Sequence, residues 1–306
     1  MIYLNGYKQS KNFEEFIASK FTGEKLIVRD LISKRENPQM VSDLIQAFSN
    51  CSNLQTLIFE NFYKFDDVEF LTNLISSLKE CAKLQNLSFQ LGNISMNKYI
   101  ESFSQALVDL PNLLDLKLDL SLCKIDEQNT LILGQKLAKC HNLQILDINL
   151  DNNFNDNTKN GSNFSYNLVT GISKCMKLSE LTLTLSSNKI DGNCQTNICS
   201  ALQNCSSLKK LILNLESNYI ESSNALNIIS QNVYVSQPSN SFILPSFKNL
   251  SILHLNFNNN NLDHHNASQF GEALSSCQNL QNFQFKIWYN NFFKLIQRKI
   301  QIQKFY

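Results

Sequence analysis

Cysteine, histidine and the acidic residues are the side chains of this sequence that could act as nucleophiles, metal ligands or proton carriers. Most of the cysteines recur at one position of a repeated pattern, at Cys51, Cys81, Cys140, Cys175, Cys205 and Cys277. Two further copies of the pattern carry Leu110 and Phe247 there, so the position requires a packed side chain and not a thiol. We interpret these cysteines as buried and reduced, and expect neither disulfides nor a zinc site.

The histidines do not form a recognisable catalytic or metal-binding arrangement. His264 and His265 are adjacent in a polar segment, for which a solvated turn is the simpler interpretation than a metal site. The sequence contains no Gly-x-x-x-x-Gly-Lys-Ser/Thr or Gly-x-Gly-x-x-Gly run and no protein-kinase signature. We therefore expect a protein without enzyme activity and without a cofactor.

The elements that position these side chains come from a repeated motif, Leu-x-x-Leu-x-Leu-x-Leu. Its copies begin at Leu54, Leu84, Leu113, Leu143, Leu178, Leu208, Leu250 and Leu280. Alternation with a period of two predicts a strand that is buried on one face. After each strand the apolar spacing changes to that of a helix, as at Ile100, Phe103 and Leu107. A unit of strand, turn, helix and turn cannot bury its apolar face alone, so the units must stack.

These motif copies resemble the leucine-rich repeats, and most closely the ribonuclease-inhibitor-type class, over roughly positions 40 to 290. The resemblance implies an α/β solenoid shaped like a horseshoe, with a parallel β-sheet on the concave face and α-helices on the convex face. The usual pattern is Leu-x-x-Leu-x-Leu-x-x-Asn-x-Leu. The segment from Leu208 to Ile220 inserts one more x-Leu step before Asn218. We therefore expect each strand to be two residues longer than usual and the asparagine to be displaced.

We expect a single domain over residues 1–306, because the repeat leaves no room for a second core. Residues 1–35 are predicted to form an N-terminal cap and a degenerate first repeat, which protect the end of the stack from solvent. Residues 36–290 contain the regular repeats and an insertion near 231–245. Residues 291–306 are predicted to form a basic, amphipathic capping helix.

The balance of charges restricts the classes of partner. The 306-residue chain has a formal net charge of +1, which gives no electrostatic reason to expect nucleic acid. No apolar run is long enough to span a bilayer, and the sequence does not begin with a secretory signal. We therefore expect an intracellular protein, in the cytoplasm, that is a monomer and binds another protein.

The residues between the leucines should point out of the sheet on its concave face, which is commonly the binding surface of leucine-rich-repeat proteins. The predicted partner-binding residues are Asp115, Lys117, Asp119, Ile145, Asp147, Glu180, Ile212 and His254. The four acidic residues lie on three neighbouring strands about 4.8 Å apart and should form a compact cluster. A partner with a basic segment would complement this cluster, and the two isoleucines would supply apolar contacts. The alternative is that any exposed polar strand face has a similar composition.

The repeats favour a non-enzymatic scaffold that binds a partner protein on its concave face. The alternative is a GTPase-activating or other small-GTPase regulatory protein, since the ribonuclease-inhibitor-type repeats resemble those of the Ran GTPase-activating proteins. Such a protein acts on the chemistry of its GTPase, and Arg35 is the arginine that could reach a bound nucleotide. An F-box-like segment, which a ubiquitin-ligase adaptor would need, does not precede the repeats.

Overall fold

The computed structural model describes residues 2–4, 7–29, 38–60, 68–154, 161–191, 198, 201–202, 204–220, 249–262 and 279–289. Its strands form one sheet in which spatial order follows chain order. They are β1 (Ile2–Leu4), β2 (Tyr7–Ser10), β3 (Lys25–Arg29), β4 (Thr56–Glu60), β5 (Asn86–Gln90), β6 (Asp115–Asp119), β7 (Ile145–Asn149), β8 (Glu180–Thr184), β9 (Lys210–Asn214), β10 (Ile252–Asn256) and β11 (Asn282–Lys286). The pair β1–β2 is antiparallel, and every pair from β2 to β11 is parallel.

Helices connect neighbouring parallel strands in the first part of the chain. They are α1 (Phe13–Ala18), α2 (Pro38–Ser49), α3 (Val68–Ser77), α4 (Ile100–Val108), α5 (Glu127–Leu137) and α6 (Ser162–Ile172). Each helix contacts the next along the chain, so the crossovers stack on one side of the sheet. This arrangement is the α/β leucine-rich-repeat solenoid that the sequence predicts, with a parallel sheet on one face and helices on the other.

The leucines are stacked in register across the sheet. Leu87 pairs with Leu57 on one side and with Leu116 on the other, and the same alignment continues to Phe283 on β11. From β4 to β10 these inward-facing positions are at most 5% exposed. In the first part of the stack, phenylalanine rings add to the core, and Phe59 stacks on Phe89 with 4.6 Å between ring centroids.

The recurring cysteines are buried core residues, as the sequence indicates, in all five copies that the structure describes. The Sγ of Cys81 donates to the backbone oxygen of Phe48, and the Sγ of Cys175 donates to that of Leu137. Both acceptors lie at or near the end of the preceding helix, where carbonyl groups lack helical partners. Burial raises the pKa of Cys51 and Cys140 to about 11, and that of Cys81, Cys175 and Cys205 to about 12.

The predicted lengthening of the strands is wrong. The strand β9 ends at Asn214, and the additional leucine, Leu215, follows it. Leu215 is buried, and its N–H donates to the oxygen of Asn256 at 2.8 Å. Two residues later the chain turns at Ser217, where φ is 55°. This left-handed conformation ends the alternation, so the extra leucine belongs to the turn.

Asparagine side chains join the later turns to one another. Four buried asparagines lie three residues after the last core residue of their repeat, at Asn153, Asn188, Asn218 and Asn260. The Nδ2 of Asn188 donates to the oxygen of Leu150 in the preceding turn at 2.9 Å. Its Oδ1 accepts from the N–H groups of Asn153 and Phe154, both at 2.9 Å. We call these four residues the asparagine ladder, because each binds the turn before its own.

Several predicted features lie outside the described residues, namely Arg35, His264, His265, Cys277, the insertion near 231–245 and residues 291–306. At the N-terminus, the helix expected between residues 10 and 20 is α1, and the degenerate first strand is β3. The β1–β2 hairpin that precedes them is not anticipated by the sequence analysis. The division into domains remains a prediction.

Candidate functional site

The predicted binding residues all lie on the strands, at positions whose side chains point away from the core. On β6 the buried residues are Leu116 and Leu118, so Asp115, Lys117 and Asp119 face the other way. The same alternation on the neighbouring strands puts further predicted residues on this concave face. Neighbouring strands pair strictly in register, so outward-facing residues at equal positions of each strand lie side by side in rows across the sheet.

Register brings the acidic residues together on three strands. Ile145 on β7 pairs with Asp115 on one side and with Glu180 on the other. In the next outward row, Lys117 pairs with Asp147. We call Asp115, Asp119, Asp147 and Glu180 the acidic patch. Neighbouring strands lie about 4.8 Å apart, so the patch is small enough for one short segment of a partner to contact all of it.

One member of the acidic patch already has a positively charged partner. The Nζ of Lys210 on β9 lies 3.1 Å from Oε2 of Glu180, and the two side chains are 34% and 41% exposed. An ion pair with this exposure is weak and is screened by salt, so a partner's cation could replace Lys210. Glu180 therefore contributes less unpaired negative charge than the aspartates do.

Asp115 has one carboxylate oxygen that the surrounding protein encloses. It is half-buried, and its Oδ1 is enclosed without a hydrogen-bond partner among the described residues. Burial raises the pKa of Asp115; Lys117 lowers the pKa, while Asp147 and Glu180 raise it further. An enclosed carboxylate oxygen without a donor disfavours the charged form of Asp115, and a positive charge brought near the carboxylate by a partner would offset that cost.

Asp147 shares this environment. Burial raises its pKa, the ammonium groups of Lys117 and Lys210 lower it, and Asp119 raises it. Beyond the strand end, Asp151 accepts a hydrogen bond from the N–H of Ser186 at 2.6 Å, and burial raises its pKa also. Asp115, Asp147 and Asp151 are therefore protonated more readily than isolated surface aspartates.

The remaining predicted residues lie at a distance from the acidic patch. Ile212 on β9 pairs with His254 on β10, so the two are neighbours in the central outward row. The Nε2 of His254 is 3.2 Å from Oδ1 of Asn282 on β11. The strands β9 and β10 follow the three strands of the patch, and Thr182 separates Asp147 from Ile212 in the same row. Ile145 alone among the predicted apolar residues lies within the patch.

The chemistry of this surface is the presentation of carboxylates and amides to a partner. Among the described residues, no group of three or more histidine, cysteine or acidic side chains is arranged to hold a metal ion. The carboxylates lie in rows on an open sheet face, an arrangement suited to ion pairs and hydrogen bonds. In the part of the chain that the structure describes, no helix is both long and apolar enough to cross a bilayer.

Sequence reasoning missed two residues of this surface, Lys210 and Asp151. Lys210 and the predicted Glu180 both begin their strands, and equal positions in adjacent repeats are neighbours. Their opposite charges at that shared position are a signal that could have identified the pair. Asp151 lies just beyond β7, where the alternation no longer places side chains, so its hydrogen bond to Ser186 of the next repeat was not predicted.

Comparisons with known proteins add little to what the topology shows. A scan of protein-family models finds no match to this sequence. A search of curated proteins finds no match either. Among solved structures, the chain is similar to an internalin, InlF, from Listeria monocytogenes, with 17% sequence identity and a TM-score of 0.41 over 86% of this chain and 75% of that chain.

Proposed function

We propose that this protein is a non-enzymatic scaffold that binds a basic segment of a partner protein on its concave face. The observation that supports the proposal is the acidic patch, in which three aspartates and Glu180 share three adjacent strands. Leucine-rich-repeat folds are typical of protein-binding scaffolds, which makes a protein the most reasonable partner. We extend the proposal to the eight predicted residues, with the patch as its centre and Ile212 and His254 as contacts further along the sheet.

The electrostatics of the patch favour a partner with lysine or arginine side chains. Lys117 is the cation that lies inside the patch, and Lys210 is engaged with Glu180. The patch therefore retains negative charge, and Asp115 has an enclosed oxygen that lacks a donor. A cationic side chain of a partner would pair with the accessible carboxylate oxygens of the patch and would offset the repulsion among the carboxylates. Ile145, which lies between Asp115 and Glu180, would contact the aliphatic part of the same side chain.

Three finer assignments belong to this proposal. We infer that the repeats are of the ribonuclease-inhibitor type, because the helices α2 to α6 are two to three turns long. We also propose that the protein acts as a monomer inside the cell, in the cytoplasm. A reducing compartment is compatible with six buried cysteines that are all free.

The test is selection of binding peptides from a random displayed library by the full chain. We expect the selected peptides to be enriched in lysine and arginine. The variant with Asp115→Asn and Asp147→Asn should bind the selected peptides on the order of 10- to 100-fold more weakly, because it loses two charge-assisted contacts. Added salt should reduce the affinity of the wild-type protein more than that of the variant.

The matched control is the variant with Glu14→Gln and Glu80→Gln, which loses the same charge at two exposed positions away from the sheet. This control should bind the selected peptides with wild-type affinity. Equal losses in both variants, or selection of peptides without a basic bias, would contradict the proposal. Circular dichroism melts of both variants establish that the fold is retained.

The alternative, a regulator of small GTPases, rests on Arg35, which lies outside the described residues. No contact or distance in the structure favours it over the scaffold. Acceleration of GTP hydrolysis by a small GTPase, abolished by Arg35→Ala, would support the alternative and would displace the scaffold as the leading proposal.

A further inference from the structure

A second charged surface lies on the edge of the solenoid where the strands begin. Each connection from a helix to the next strand passes along this edge. In the three successive connections 138–144, 173–179 and 204–209, the exposed cations are Lys139, Lys174, Lys177 and Lys209. None of these connections contains an acidic residue. We call the four residues the lysine edge.

The lysines are close enough to form one surface. Lys139 and Lys174 line the same shallow groove, in which Nζ of Lys136 on α5 lies 3.9 Å from Oε1 of Glu101. Lys177 reaches back to the preceding connection, where its Nζ donates to Oδ1 of Asn142 at 2.8 Å. The backbone N–H of Lys209 donates to the oxygen of Ser179, which links the third connection to the second.

The repeat itself does not require this charge. The equivalent connections 49–55, 79–85 and 108–114 carry Lys79, Lys83, Glu80 and Asp109, for a net charge of zero. Lysines near helix C-termini do stabilise the helix dipole, and this accounts in part for Lys139 and Lys174. It does not account for Lys177 and Lys209, which follow the helices by several residues. In the described part of the chain, none of the four lysines forms an ion pair with a carboxylate.

We propose that the lysine edge binds the surface of a membrane that contains anionic lipids. Lysine is a hydrated point charge suited to diffuse attraction, whereas arginine forks are suited to fixed hydrogen bonds with a specific anion. The three connections contain no Phe, Tyr or Trp on which a nucleic-acid base could stack. At the centre of the edge, Met176 is 60% exposed and is available to enter the interfacial region of a bilayer.

Membrane binding through the lysine edge would leave the concave face open. The lysine edge is formed by the connections that precede the strands, whereas the acidic patch lies on the sheet. A membrane that contacts the edge would therefore not cover the patch. The membrane proposal does not depend on the proposed function, because the two surfaces share no residue.

The test is sedimentation of the full chain with phosphatidylcholine vesicles, with and without phosphatidylserine. We expect binding only when phosphatidylserine is present, and weaker binding as salt increases. Each lysine near an anionic surface contributes about a fivefold increase in affinity. The variant with Lys139, Lys174, Lys177 and Lys209 all changed to Gln should therefore lose about 600-fold in vesicle affinity.

The control changes four other exposed lysines to Gln, namely Lys11, Lys98, Lys124 and Lys286, and has the same net charge as the edge variant. It should bind phosphatidylserine vesicles within about threefold of wild type, because none of its lysines lies in a helix-to-strand connection. Equal loss in both variants would overturn the proposal, as would absence of wild-type binding at low salt. A third contrary outcome is edge-dependent binding to duplex DNA or to polyglutamate without binding to vesicles. Both variants should melt at the wild-type temperature.

Discussion

The turns that follow β5 and β6 differ from those that follow β7 to β10, although the backbone position is the same. After β5 that position holds Ile94, and after β6 it holds Cys123, both fully or almost fully buried. After β7 to β10 it holds the asparagine ladder. The earlier turns therefore depend on apolar packing, and the later ones on buried amides.

The contacts of Cys123 are similar to those of the ladder asparagines. Its Sγ donates to the oxygen of Leu91 in the preceding turn at 3.2 Å and to that of Ser121 at 3.4 Å. Asn188 donates to the corresponding two oxygens, those of Leu150 and Ser186. The thiol thus makes weak versions of the donor contacts but does not replace the amide oxygen, which accepts two N–H groups in Asn188. The same backbone geometry therefore accommodates a thiol or an amide. Only the amide also accepts hydrogen bonds from backbone N–H groups of the preceding turn.

The largest expected effect is at the ladder. Asn188→Leu keeps the number of side-chain heavy atoms but leaves the N–H groups of Asn153 and Phe154 without acceptors in the core. We expect the free energy of unfolding to fall by about 4 kcal/mol, measured by urea denaturation. The variant Cys123→Ala should lose only about 1 kcal/mol, because it gives up weak contacts and a small volume. Similar losses in the two variants would show that the amides contribute no more than packing does.

A second effect concerns the contact between the helices α5 and α6. A Cβ built on Gly171 of α6 would lie 2.0 Å from the backbone oxygen of Gly134 on α5. Because the added Cβ is fixed to one helix backbone and the oxygen belongs to another, Gly171→Ala must separate the two helices. We expect the free energy of unfolding to fall by about 3 kcal/mol in thermal or urea denaturation. At Gly92 the nearest atom is the side-chain oxygen of Ser121, at 3.0 Å, which can move. Gly92→Ala should therefore cost less than about 1 kcal/mol, and an equal cost would contradict the close helix contact.

A third effect should be stabilising and concerns the backbone of one early turn. Leu122 has a φ of 58° and is 50% exposed, whereas Asn93, Asn152 and Asn259 occupy the equivalent positions of other turns. Asparagine tolerates the left-handed region better than leucine, so Leu122→Asn should raise the free energy of unfolding by about 0.5 kcal/mol. Leu122→Ala serves as the control, since it removes the exposed side chain without relieving the backbone. A gain of equal size for alanine would assign the effect to the side chain.

The smallest effect lies on the concave face between the two regions. Because burial raises the pKa of Asp147, its ionised form destabilises the folded state above that pKa. Asp147→Asn should therefore stabilise the free protein at neutral pH by about 0.5 kcal/mol, a small value because the site is partly solvated. The gain should vanish as the pH falls through the pKa of Asp147, above the ordinary range of an aspartate. A gain that persists at acidic pH, in unfolding measured against pH, would exclude the carboxylate as its source.

The sequence predicts the fold well because the signal is repeated. Strand positions from β4 to β11 follow from leucine alternation, and the burial of five cysteines follows from their shared position with Leu110. The extra leucine of each copy misleads, because alternation alone does not reveal where φ changes sign. The position of the asparagine ladder could have been predicted, because Asn153 and Asn188 follow Leu150 and Leu185 by the same number of residues. The alternation of apolar residues does not show that these asparagine side chains are buried.

The candidate site was predictable as a surface but not as an electrostatic environment. The outward direction of Asp115 and Asp147 follows from the pleat and the register. The pairing of Glu180 with Lys210 and the enclosed oxygen of Asp115 depend on side-chain conformations that no spacing encodes. The lysine edge illustrates the same point, because its residues come from three separate connections that become neighbours only through stacking of the repeats.

The buried cysteines give the protein a set of internal reporters, one in most repeats from Cys51 to Cys205. A thiol that is enclosed and protonated cannot react with an alkylating reagent until its own repeat opens. The rate at which each cysteine is labelled therefore measures the opening of that repeat, without an introduced probe. Mass spectrometry of the labelled peptides would read the local stability of the solenoid along its length, including the step from the packed turns to the amide-linked ones.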